Sequence, residues 1–130
     1  MKIILDTCTF LWLASADQQL SKLARELVRS PANEVFFSAA SAWEISVKHG
    51  IGRLRLPRGL TPREFVPEAR SRHDVEALPV TEADTLALVR LPMLHNDPFD
   101  RMLICQAIAN QMAILTPDRL IHQYPVGVQW

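Results

Sequence analysis

Acidic side chains carry the chemistry this sequence can offer. Asp6 closes the apolar run "KIILD", Glu44 lies in "SAWEIS", Asp97 and Asp100 flank a proline in "LHNDPFDRML", and Asp118 follows "AILTP". In parallel α/β sheets, ligands gather beyond the carboxyl ends of the strands. Asp6 and Asp118 fall at or just past such ends, Glu44 in the early turns of a helix that follows a strand, and Asp97 and Asp100 at the start of the helix that feeds "AILT". Acids from four places along the chain can therefore meet at one edge of one sheet. Such a cluster repels itself and loses hydration unless something positive occupies it. A hard dication on oxygen donors, Mg2+ or Mn2+, meets that need, and carboxylate-held metals of this kind activate water and clamp phosphate oxygens. No His or Cys stands at ligand spacing beside the acids, which argues against zinc.

Each acid also has a plainer role. An Asp after a strand often caps the next turn or helix, which applies to Asp6 and to Asp118 beside Pro117. Glu44 stands three residues after Ser41, the spacing of a capping box; if the helix starts at Ser38 instead, Glu44 falls in its second turn and that role is lost. Asp97 before Pro98 reads as an N-cap, worth about 1 kcal/mol.

The elements that must position these residues follow from local signals. "KIILD" and "MAILT" read as strands buried on both faces, "EVFFSA" as another, "VEALPV" as a third or extended segment, and "VGVQW" as a last edge strand. Helices are expected through "FLWLASAD", over Lys22–Arg29 behind Ser21, through "SAWEISVKHG" to a Gly50 C-cap, after Thr61–Pro62, after Thr81, and from Asp97 to about Asn110. "RLRLPRGLTP" reads as an irregular connector. Strands alternating with helices indicate an α/β fold around a mostly parallel sheet, in one domain over residues 1–130.

Bulk composition narrows the functions. A chain that is 48% hydrophobic and 22% charged is globular, and its zero net charge provides no global positive field to draw in nucleic acid. Cys8 and Cys105 lie too far apart for a CxxC site and fit reduced thiols. Asp6 interrupts the apolar start and no stretch approaches a membrane span, so a soluble cytoplasmic protein is expected.

Four motifs in order, "ILDTCTFLWL", "SAASAWEISVKHGIGRL", "HNDPFDRMLICQA" and "ILTPDRLIHQY", resemble the VapC-like PIN-domain ribonucleases, the toxin halves of bacterial toxin–antitoxin pairs. The resemblance covers most of the chain. It implies a three-layer α/β/α PIN-like fold and Mg2+- or Mn2+-dependent endonuclease action on RNA. The family's four acids match Asp6, Glu44, Asp100 and Asp118 as catalytic, metal-holding residues. Asp100 rather than Asp97 fills the third place; Asp97 then reads as the cap and a supporting residue, the alternative being that it also reaches the cation through a water. Thr116 matches a supporting hydroxyl. The implied partners are a cognate antitoxin, an RNA substrate and a second copy in a homodimer.

Other residues have ordinary readings beside functional ones. Arg101 can hold phosphate or pair with a neighbouring acid. Arg53, Arg55 and Arg58 form a solvated loop or an RNA-contact edge. His49, His73, His95 and His122 are scattered and receive no catalytic role, although His95 lies closest to a motif. Trp12 and Trp43 pack in the core or at an interface. Two competing functions are a non-catalytic PIN-fold binding module and an Asp-nucleophile phosphatase. The second normally needs an Asp two residues after the first, where this chain has Cys8.

Overall fold

The computed structural model describes residues 1–130. Strands β1 (Lys2–Leu5), β2 (Glu34–Ser38), β3 (Val75–Leu78), β4 (Ala113–Leu115) and β5 (Val128–Gln129) form one sheet in the order β3-β2-β1-β4-β5. Every pairing is parallel. Helices α1 (Thr7–Ser15) and α2 (Lys22–Arg29) connect β1 to β2. Helices α3 (Ala39–Gly50) and α4 (Pro62–Arg72) lead to β3, and α5 (Glu82–Leu86) and α6 (Pro98–Asn110) lead back to β4. No helix is long and apolar enough to cross a membrane.

Alternation along β1 explains the layering. Ile3 and Leu5 enter a core with Phe10, Phe37, Ile45 and Phe65 on one face of the sheet. Ile4 enters a second core with Leu103, Ile104, Ile114 and Ile121 on the other. Because both faces are covered, the central strands run apolar without alternation over residues 3–5, 35–37 and 113–115. Phe10 and Phe37 stack with ring centroids 3.8 Å apart, fixing α1 against β2.

Side-chain caps set the helix starts. Ser21 accepts from the Ala24 N–H, and Thr61 and Thr81 form capping boxes with Glu64 and Asp84. Helix α3 begins behind Ser38, which accepts from the Ala40 N–H, so Glu44 lies in its second turn and is not part of a cap. Gly50 is the last helical residue rather than the cap, since the Ile51 N–H closes on the Val47 carbonyl. The connector holds only a 3-10 turn at Pro57–Gly59. Helix α5 is shorter than the sequence suggests and continues as a 3-10 turn over Ala87–Arg90.

The strand order reverses at β1. From β1 the chain steps outward to β2 and β3, then returns to β4 on the other side. The crevice beyond the carboxyl ends of β1 and β4 is therefore the topological switch point, the usual ligand position in such sheets.

Candidate metal centre

Asp6 leaves β1 and Thr116 leaves β4 side by side, because Leu5 is in register with Leu115. Asp6 does two things at once. Its Oδ1 caps α1 by accepting from the Thr9 N–H at 2.8 Å, while its Oδ2 accepts a hydrogen bond from the Thr116 hydroxyl. Thr116 Oγ1 in turn accepts from the Asp118 N–H at 3.0 Å. Burial pushes the Asp6 carboxyl above its ordinary range, opposed by its hydrogen bonds, that from Thr116 foremost.

Asp97 and Asp100 have separate jobs. Asp97 Oδ1 accepts from the Phe99 and Asp100 N–H groups at 2.8 and 3.2 Å, the N-cap of a helix whose first position is Pro98. Asp100, in that first turn, faces the other acids. Its carboxyl is pushed up to about 7, first by burial and then by the charge of Asp97; Asp6 and Glu44 add to the rise and His95 opposes it. Acids from β1, α3 and α6 thus act on one another across the crevice.

Glu44 joins the cluster already partnered. Thr7 Oγ1 donates to its Oε1 at 2.5 Å, and Lys48, one turn along α3, donates to its Oε2 at 2.5 Å. The hydrogen bond to Glu44 is the main reason that the Lys48 ammonium holds its proton more tightly than usual. Among the acids, Glu44 carries its own counter-charge.

The expectation that no histidine stands beside the acids is corrected by His95. Its Nε2 lies 2.9 Å from Asp118 Oδ2 and 3.1 Å from Asp100 Oδ2. One ligand-type atom each from His95, Asp100 and Asp118 falls within a span of 4.8 Å. A single histidine in an irregular loop has no periodicity to reveal it; its closeness to "DPFD" was the one available signal. Cys8 Sγ is also close, 3.3 Å from Asp6 Oδ1, but burial and the Asp6 charge push its thiol up, leaving it a protonated weak donor.

Arg101 forms no ion pair with a neighbouring acid. Its guanidinium donates to the Pro92 and Leu88 carbonyls and to Tyr124 Oη, bracing the loop before α6. Trp12 packs against Trp130, whereas Trp43 is 63% exposed and meets Phe99 edge-on. A cavity of about 650 Å3 lies elsewhere, lined by Leu13, Arg25, Arg29 and His73 but by none of the acids.

The donor set suits a hard dication. Asp6, Asp100 and Asp118 supply carboxylate oxygens from three elements, while Lys48 is committed to Glu44 and Arg101 turns away. Burial first, and the neighbouring carboxylates after it, push the Asp100 carboxyl up to about 7, and a bound dication would favour its ionised form.

An all-parallel α/β sheet with acids gathered at its switch point matches a known family. The chain belongs to the PIN domain family, whose model matches residues 3–126. Solved structures share the fold. One is a chain of VapBC2 from Rickettsia felis bound to a DNA fragment from its promoter: TM-score 0.71, 14% identity, covering 99% of this chain and 98% of that one. DNA-bound VapBC from Salmonella typhimurium gives a TM-score of 0.67 at 15% identity, covering 99% of this chain and 97% of that one. VapBC-1 from nontypeable Haemophilus influenzae gives 0.64 at 15% identity, with the same coverages of 99% and 97%. No curated protein sequence is significantly similar to this one.

Proposed function

We propose that this chain is a Mg2+- or Mn2+-dependent endoribonuclease that hydrolyses RNA phosphodiesters and acts as the toxin of a toxin–antitoxin pair, with residues 1–130 as one PIN domain. The observation that carries the reading is the meeting of Asp6, Asp100 and Asp118 at the carboxyl ends of β1 and β4, joined through Thr116 and His95. Membership of the PIN family and the likeness to VapBC structures support it.

When bound, a divalent cation supplies Lewis-acid polarisation of the phosphate and a lowered pKa for an attacking water. Asp6, Asp100 and Asp118 would hold it, with Glu44 alongside and Thr116 fixing the Asp6 carboxylate. Asp97 sets the direction of the first turn of α6 and so the reach of Asp100. Arg53 and Arg55, exposed in the connector, can offset the repulsion between an acidic centre and an RNA backbone; Arg58 is instead paired with Glu68 at 2.6 Å. The implied partners are an antitoxin protein, RNA and a second copy of the chain.

The test is incubation of purified protein with end-labelled RNA and with p-nitrophenyl phosphate, each with Mg2+, Mn2+ or EDTA. Metal-dependent RNA cleavage with no phosphomonoester hydrolysis is expected. Release of p-nitrophenol would favour an Asp-nucleophile phosphatase, and inactivity in both assays a binding module.

A further inference from the structure

Resting on the metal-site reading above, we propose that His95 is a positioning residue that clamps Asp100 to Asp118 through its Nε2–H and is not itself a metal ligand. The loop that carries it is fixed from behind. Tyr124 Oη donates to the Pro92 carbonyl at 2.8 Å and accepts from the Leu94 and His95 N–H groups at 3.2 and 2.9 Å. His95 is buried, 8% exposed, so its ring has few alternative orientations.

The ring's hydrogen is assigned by its neighbours. The Asp97 N–H points at His95 Nδ1 at 3.1 Å, and an N–H donor requires a lone pair opposite it. Nδ1 is therefore the acceptor and Nε2 carries the hydrogen, which lies between Asp118 Oδ2 at 2.9 Å and Asp100 Oδ2 at 3.1 Å. Ligation needs a free imidazole lone pair facing the ion. For Nε2 to ligate, its hydrogen would have to move to Nδ1, directly against the Asp97 N–H. The backbone N–H of Asp97, the N-cap of α6, thus opposes the His–Asp–Asp ligand set that proximity alone suggests.

What the clamp does follows from charge. Asp100 and Asp118 arrive from α6 and from the segment after β4, and like charges splay apart without a shared donor. Nε2–H holds one oxygen of each within hydrogen-bonding range, so the two carboxylates reach a cation already gathered. Asp97 organises both halves of this arrangement: its side chain caps the turn bearing Asp100, and its N–H orients the ring that holds Asp100 to Asp118. Partners of this outer kind typically change metal affinity 10- to 100-fold.

The experiment combines 15N NMR of the imidazoles in metal-free protein with Mn2+ titration and pulsed EPR of wild type, His95→Phe and His95→Gln. The expected results are an Nε2–H tautomer for His95 and no directly bonded 14N coupling to Mn2+ in wild type. Mn2+ affinity should fall about 10- to 100-fold in His95→Phe and largely recover in His95→Gln, which keeps a side-chain N–H donor. An Nδ1–H tautomer, a directly bonded imidazole nitrogen, or undiminished affinity in His95→Phe would each overturn the clamp while leaving the metal site standing. Wild-type protein that binds no Mn2+ would remove the metal reading itself, and the clamp with it. The wild-type NMR and EPR measurements decide the matter even if His95→Phe does not fold.

Discussion

The Thr116 hydroxyl donates to Asp6 Oδ2 across 110 residues of sequence, while accepting from the Asp118 N–H. One fully buried side chain at the end of β4 thereby ties the acid that follows β1 to the acid that follows its own strand. Thr116→Val keeps the shape and deletes both bonds, leaving buried Asp6 Oδ2 only the weak Cys8 thiol donor at 3.5 Å and the Asp118 N–H without its acceptor. The expected loss is about 1–3 kcal/mol in urea denaturation, together with weaker Mn2+ binding by calorimetry. Thr116→Ser, which keeps the hydroxyl, should recover most of both.

Asp100 makes the metal-free fold pH-dependent with a definite sign. Its folded-state value of about 7 lies above the ordinary 3.8, so between these values the folded state retains a proton that the unfolded state has released. Its contribution to stability is full below about pH 4 and is lost as pH rises through about 7. Asp100→Asn removes the titration. In EDTA, thermal unfolding at pH 8 should show Asp100→Asn more stable than wild type, with the difference shrinking towards pH 5. Wild-type Mn2+ affinity should climb with pH up to about 7, because the ion and the proton compete for the same carboxyl.

Asp97 separates capping from charge. Asp97→Asn retains a good cap acceptor and should stay within about 0.5 kcal/mol of wild type, with cleavage retained. Asp97→Ala leaves the Phe99 and Asp100 N–H groups without their acceptor and should cost about 1 kcal/mol by chemical denaturation. Loss of cleavage in a stably folded Asp97→Asn would give Asp97 a direct part in the site.

Lys48 is the cluster's internal cation. Lys48→Met removes the positive charge one turn from Glu44 and leaves that buried carboxylate with Thr7 as its remaining partner. The metal-free protein should melt lower, and the rise in Tm on adding Mn2+ should be larger than in wild type. Differential scanning calorimetry with and without Mn2+ reads both.

Local signals made several boundaries legible in the sequence. Ser21, the Thr61–Pro62–Glu64 box, Thr81, and Asp97 before Pro98 each advertise a helix start through chemistry confined to one turn. The start of α3 was not legible, because Ser38 and Ser41 offer equal local cues. Ser38 is also tied to Gln106 at 2.5 Å, across 68 residues, and Gln106 reaches the Pro79 carbonyl at 2.9 Å. The acids were legible as strand-end and motif residues, yet the bond that joins Asp6 to Thr116 depends on β1 and β4 being neighbours. The contacts of His95 and Arg101 were not legible for the same reason: Tyr124, the Asp97 N–H and the Leu88 carbonyl, which they meet, form no pattern along the chain.

The central claim is that these acids hold a cation that cleaves RNA, and Asp6→Asn tests it most directly. Asparagine can still cap α1 through its carbonyl oxygen, so the variant should fold, as circular dichroism and thermal melting would verify. In single-turnover assays with Mn2+, wild type should cleave RNA, lose that activity in EDTA and regain it on adding excess metal, while Asp6→Asn should show no cleavage above background. Folded Asp6→Asn protein cleaving RNA at the wild-type rate would contradict the account.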